Sequence, residues 1–255
     1  MIPTPSDCQS AIAPLPMAPS PVPPSCGAAL GLKWTTLTCL WLVAVLSFGY
    51  WITAYGFEVD ASNLANSAAT WPSDSSLPVA SDRSTLLLFL HPQCPCSRAT
   101  LVELEKILES TAALTNATPR TLVVASVPRN ADSQWTDSPL NKRARQLPNA
   151  DLYVDVDGIE TARFGVTTSG TVMLFSPQAG RIFSGGITIS RGHEGHSVGG
   201  ALLQEQLWRV LNHQPDAVAE LDASSPPVFG CALCGPSPST ENDGTAGRCG
   251  EAEPW

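Results

Sequence analysis

Residues 34–57 read WTTLTCLWLVAVLSFGYWITAYGF, with no charged side chain. A helix of that length would be apolar on every side, and a small soluble domain has no means of covering it all round. The hydrocarbon core of a bilayer needs about 20 such residues, so a single spanning helix over residues 34–57 is the expected form. Trp34 stands at one end and Tyr50, Trp51 and Tyr55 at the other, where interfacial aromatic rings anchor a span. Secretory apolar regions are shorter, about 7–15 residues, and lie closer to the N-terminus. An uncleaved anchor is therefore preferred to cleavage near Ala54-Tyr55-Gly56. Lys33 is the fixed positive charge on the N-terminal flank, whereas Glu58, Asp60, Asp74 and Asp82 outnumber Arg83 on the other. The positive-inside rule then places the large C-terminal part outside the cytoplasm.

The rest of the chain is organised around that helix. Residues 1–33 carry eight prolines among Ser and Ala and read as a disordered tail. Residues 58–80 read as a linker, 81–213 as the compact domain, and 214–255 as a flexible tail containing one Cys-X-X-Cys. Within the domain, the apolar runs TLLLFL (85–90) and TLVVASV (121–127) have the form of strands buried on both faces. Helix formers follow the first over residues 97–109, with Leu101, Leu104 and Leu108 on one stripe beside Val102. Residues 139–147 suggest a short basic helix, 151–156 a short strand, and 158–164 another helix. Residues 171–175 and 181–184 form a hairpin across Pro177-Gln178-Ala179-Gly180, and 198–211 a closing amphipathic helix. This order implies an α/β layered fold with a mixed sheet. The net charge of −9 repels phosphate backbones and no basic stripe offsets it, so nucleic acid is excluded as a partner.

Of eight cysteines, two sets are closely spaced: Cys94/Cys96 and Cys231/Cys234. Cys94-Pro95-Cys96 joins a buried strand to a helix. Unpaired N–H groups at a helix N-terminus favour an anion, so they lower a thiol's pKa and raise its thiolate fraction. Arg98 adds a positive charge nearby, and His91 stands three residues before the first sulfur as a proton partner. Cys94 is expected to attack and Cys96 to resolve. A ring closed between residues two apart is tight, which points to an oxidising or isomerising poise. Cys231 and Cys234 are read as a relay pair or as an inert tail disulfide. Cys8, Cys26 and Cys39 receive no role.

The stretch Phe89-Leu90-His91-Pro92-Gln93-Cys94-Pro95-Cys96 and its helix resemble the active-site turn of the thioredoxin superfamily, with one residue between the cysteines instead of two. A second match is Phe164-Gly165-Val166 followed by residues 170–175, where the family begins a strand with a proline and threonine facing the redox pair. Gly170 stands in the proline's place. The resemblance covers residues 82–212 and is nearest to membrane-anchored RedB-like proteins, through the Cys-Pro-Cys turn and the loop at residues 185–193. It implies a thioredoxin-like fold, a central mixed sheet flanked by helices, behind one transmembrane helix. It also implies a docking edge at Gly170 and Thr171, with Gly170 offering open space to a substrate strand or a metal ion.

Two functions follow as expectations. The first is extracytoplasmic thiol–disulfide exchange, needing no cofactor, with cysteine-containing exported proteins as substrates. The alternative draws on the likeness to copper-handling thioredoxin-like proteins: Cys94, Cys96 and His193 would hold copper as Cu(I), a soft ion suited to thiolate and imidazole.

Overall fold

A computed structural model describes residues 26–57, 67–212 and 225–235. The expected disorder of residues 1–25, the linker at 58–66 and the tail at 213–224 and 236–255 lie outside the described residues. The chain divides between Tyr50 and Trp51 into two units.

The first helix, α1 (Cys26–Gly56), starts earlier than expected because residues 25–33 hold no proline, and Ala28, Ala29 and Leu30 continue the helical pattern. Its stretch Lys33–Gly56 has a mean hydropathy of 1.7 and no buried residues, so it is long and apolar enough to cross a membrane. The hydroxyls of Thr36 and Thr38 donate back to the carbonyls of Lys33 and Trp34, at 2.9 and 2.8 Å. Such back-bonding hides the polar groups that an apolar surrounding would otherwise penalise.

The globular part is built on one five-stranded sheet in the order β3-β2-β1-β4-β5. The central strand, β1 (Thr85–Leu90), is buried at all six positions. It pairs parallel with β2 (Arg120–Val127) and antiparallel with β4 (Thr171–Phe175). Outside these lie β3 (Ala150–Val156), parallel to β2, and β5 (Arg181–Gly185), antiparallel to β4. A strand covered on both faces has no polar side, which is why TLLLFL is apolar throughout. Alternation sends Leu86, Leu88 and Leu90 into one core, and Leu87 and Phe89 into the other.

The first core is closed by α2 (Pro95–Thr115) through Leu101, Leu104 and Leu108, and by α6 (Val198–Leu211) through Leu203 and Leu207. Between β2 and β3 run two short helices, α3 (Ser133–Thr136) and α4 (Pro139–Ala144); α5 (Ile159–Arg163) leads towards β4.

The second core corrects the expected domain limits. Residues 67–80 are not a free linker. Trp71 sets its ring edge-on to Phe164 and Phe175, each at 5.1 Å between centroids, and Leu77 is buried. Ser75 and Ser76 bind the Glu160 carboxylate. Residues 225–235, read as part of a flexible tail, are likewise part of the fold. Val228, Phe229, Leu233 and Cys234 are buried, Leu233 within the second core. Both segments have loop composition, but each carries apolar side chains large enough to seat it on the sheet.

Candidate functional site: a three-sulfur cluster

The site forms where β1 ends. Pro95 takes the first helical position of α2, where its missing N–H costs nothing, and Cys94 becomes the residue that caps the helix. The Cys94 N–H donates to the His91 carbonyl at 3.0 Å, closing the turn. Cys94 therefore sits against the unpaired N–H groups of a 21-residue helix.

Cys94 does not pair with Cys96. Its disulfide partner is Cys231, 137 residues further on, with the Cα atoms 6.5 Å apart. That separation falls within the range a disulfide bridges, whereas Cys96 lies inside the first turn of α2 and keeps a free, buried thiol. The three sulfurs of Cys94, Cys96 and Cys231 all lie within 4.8 Å of one another. The expected redox pair is thus two-thirds of a larger cluster, and Cys231 belongs to the site itself. Cys234 is disulfide-bonded as well.

The segment carrying Cys231 is laid along residues 167–169. The Ser169 N–H donates to the Cys231 carbonyl at 2.9 Å, and the Leu233 N–H donates to the Thr167 carbonyl at 2.8 Å. Thr168 and Ala232 form an antiparallel bridge. Ser169 also accepts from the Cys231 N–H at 2.9 Å and donates its hydroxyl to the Cys94 sulfur at 3.5 Å. Ser169 was not singled out in the sequence, and only its place just before Gly170 hinted at a role.

The expected docking edge is consequently occupied by the chain's own segment. Gly170 is buried at a φ of +87°, and a Cβ there would lie 2.7 Å from the Thr100 hydroxyl and 3.7 Å from the Phe229 carbonyl. It offers no open space. Thr171 is buried too, its hydroxyl donating to the Thr168 carbonyl at 2.7 Å. Cys94, expected to be the accessible thiol, is only 2% exposed.

Burial pushes the Cys96 thiol above its ordinary pKa, against the pull of the Arg191 charge and the Gly192 N–H. Arg191 is anchored by a hydrogen bond to the Gly230 carbonyl at 2.7 Å. It supplies the nearby cation that Arg98, exposed on α2, was expected to provide. His91 is fully buried, with its ring 5.0 Å from that of Trp135, and burial lowers its pKa. Its Nδ1 accepts from the Gln93 N–H at 3.3 Å, so the ring does not join the sulfurs. His193 is exposed, with Nδ1 2.7 Å from the Arg191 carbonyl, and it too lies outside the cluster. The expected metal set of Cys94, Cys96 and His193 is not assembled. Cys231 stands in the histidine's place.

No family model matches the chain, and no curated protein matches it. Among solved structures, a hypothetical protein from Sinorhizobium meliloti superposes with a TM-score of 0.50 at 15% identity, covering 66% of this chain and 94% of its own. An uncharacterized conserved protein from Geobacillus kaustophilus gives 0.47 at 18% identity, covering 72% and 95%. The exposed lipoprotein thioredoxin of Streptococcus pneumoniae gives 0.34 at 17%, covering 51% and 84%. At such identities the first of these speaks to fold alone. With its mixed five-stranded sheet, flanking helices and cysteine turn at the end of β1, the domain has a thioredoxin-like fold.

Proposed function

We propose that the chain is a thiol–disulfide oxidoreductase, held at a membrane by residues 34–57 with its domain outside the cytoplasm, and acting on cysteine-containing exported proteins. A kinship with RedB-like anchored proteins is part of this reading. One observation carries it: a disulfide, Cys94–Cys231, stands beside a free thiol, Cys96, with all three sulfurs within 4.8 Å. Disulfide exchange requires a thiolate within reach of a disulfide sulfur, and that arrangement supplies both.

The Cys96 thiolate attacks the Cys94 sulfur. The Cys94–Cys96 bond forms, the Cys94–Cys231 bond breaks, and Cys231 leaves with the electron pair and takes up a proton. No electrons are gained or lost overall. Helix α2 and the Ser169 hydroxyl favour negative charge on Cys94 whenever it is the leaving or attacking sulfur. Full-length protein in detergent should refold scrambled ribonuclease, and Cys94→Ser should lower that rate at least about a hundredfold. An unchanged rate would refute the proposal.

A second reading rests on the same cluster. When all three cysteines are reduced, Cys94, Cys96 and Cys231 form a thiolate set matched to a soft monovalent ion such as Cu(I). The ion would be held by sulfur alone. Stoichiometric Cu(I) uptake by the reduced protein should then be weakened by Cys231→Ser and left intact by His193→Ala.

A further inference from the structure

We infer that the sulfur which meets the substrate is that of Cys231, with Cys94 and Cys96 both buried behind it. This inference rests on the exchange reading and assigns the order of its steps. In a thioredoxin-like turn the first cysteine would be the contact thiol, but here Cys94 and Cys96 are 2% and 6% exposed. Cys231 is the partly exposed member of the cluster, and its neighbour Ala232 is exposed.

The segment that buries Cys94 is built in. Gly230 packs so closely that a Cβ would lie 1.9 Å from the Ser169 carbonyl oxygen. Phe229 and Leu233 are buried on either side of Cys231, and Cys234 is tied by a disulfide. Lifting the segment would return both apolar side chains to water. A substrate does not lift this segment to reach Cys94; it reacts with the sulfur the segment presents.

The chemistry balances in both directions. An incoming thiolate attacks the Cys231 sulfur; a mixed disulfide forms there and Cys94 departs as the thiolate, next to the α2 N-terminus and the Ser169 hydroxyl. A second thiol of the substrate then attacks its own sulfur in the mixed disulfide, leaving an oxidised substrate and a Cys231 thiol. In the isomer holding the Cys94–Cys96 bond, Cys231 is a free thiol that attacks a substrate disulfide. Cys96 thus decides whether Cys231 presents a disulfide or a nucleophile, at one and the same oxidation state of the protein.

The test uses full-length Cys96→Ser protein in detergent, oxidised to Cys94–Cys231. It is treated with glutathione and, separately, with a single-cysteine peptide, quenched with acid, alkylated, and mapped by mass spectrometry. The mixed disulfide is expected on Cys231 in at least tenfold excess over Cys94, with Cys94 recovered alkylated. A mixed disulfide mainly on Cys94 overturns this inference and leaves the exchange reading standing. No mixed disulfide on either cysteine, while a phosphine still reduces the bond, overturns the exchange reading. In fully reduced native protein, a bulky maleimide should modify Cys231 before Cys94 or Cys96; the reverse order also overturns the inference.

Discussion

The Ser169 hydroxyl donates to the Cys94 sulfur at 3.5 Å while accepting from the Cys231 N–H. One side chain therefore positions the segment that carries one sulfur and offers a hydrogen bond to the other. When Cys94 is a thiolate, that bond becomes charge-assisted and gains strength. Replacing Ser169 with Ala removes that bond and should slow Cys94 alkylation near neutral pH by roughly threefold to tenfold, the equivalent of one modest hydrogen bond. The rate of Cys94 alkylation, measured in a reduced Cys96→Ser, Cys231→Ser background, reads this directly. An unchanged rate would mean that Ser169 serves only to seat the segment.

Cys96 sets a different pH dependence. Burial raises its pKa from the ordinary 9.0, so near neutral pH its sulfur is mostly a protonated thiol. Rearrangement of Cys94–Cys231 to Cys94–Cys96 needs the thiolate, so its rate should climb about tenfold per pH unit through neutrality, with no plateau below the raised pKa. Arg191 opposes the burial effect through its charge. Arg191→Gln should push the pKa higher still and slow the rearrangement at any pH below it. Acid quenching followed by alkylation of the freed Cys231 gives the rate, and a profile already flat at pH 7 would contradict the argument.

These two predictions also mark how far the sequence could be read. The strands at 85–90 and 121–127, the hairpin and the closing helix were legible because a strand buried on both faces leaves a continuous apolar run and an amphipathic helix leaves a local period. The cysteine turn was legible for the same reason, since strand, Pro95 and helix are adjacent in the chain. The pairing of Cys94 with Cys231 spans 137 residues and leaves no local period to detect. The trace it does leave is Val228-Phe229 beside Cys231 and Leu233, an apolar cluster within a polar stretch. Trp71 marked the region at 67–80 in the same way. In both places loop composition concealed a segment whose backbone is tied down by a few long-range hydrogen bonds and buried rings.

Gly170 tests why the proline of thioredoxins is missing here. At a φ of +87° the position excludes proline, whose ring fixes φ near −65°. Gly170→Ala adds backbone strain and a Cβ 2.7 Å from the Thr100 hydroxyl, and should cost about 1–3 kcal/mol. Thr100→Ala removes the steric share but not the strain. The double variant should therefore lose less than the two single losses added together, as denaturant unfolding would show. Simple additivity would mean that the Thr100 contact is irrelevant.

Glu160 governs the segment before the sheet. It is 1% exposed, and its carboxylate accepts from the Ser75 hydroxyl at 2.6 Å, from the Ser76 N–H at 2.9 Å and hydroxyl at 2.8 Å, and from Arg163. Burial alone would raise its pKa, but these donors together outweigh it and hold the carboxyl below its ordinary 4.5. Glu160→Gln keeps the shape while leaving Arg163 with only the exposed Asp74 carboxylate as a charge partner and turning an N–H₂ group towards the serine donors. The expected loss is about 2–3 kcal/mol, with faster proteolysis between residues 67 and 80. Because the folded pKa is depressed, the ionised carboxylate contributes its stability above pH 4.5 and loses it as pH falls through the folded pKa. The gap between wild type and Glu160→Gln should therefore be widest near neutral pH and close progressively below pH 4.5. A gap that stays constant on acidification would show that the charge of Glu160 contributes nothing and that only its shape matters.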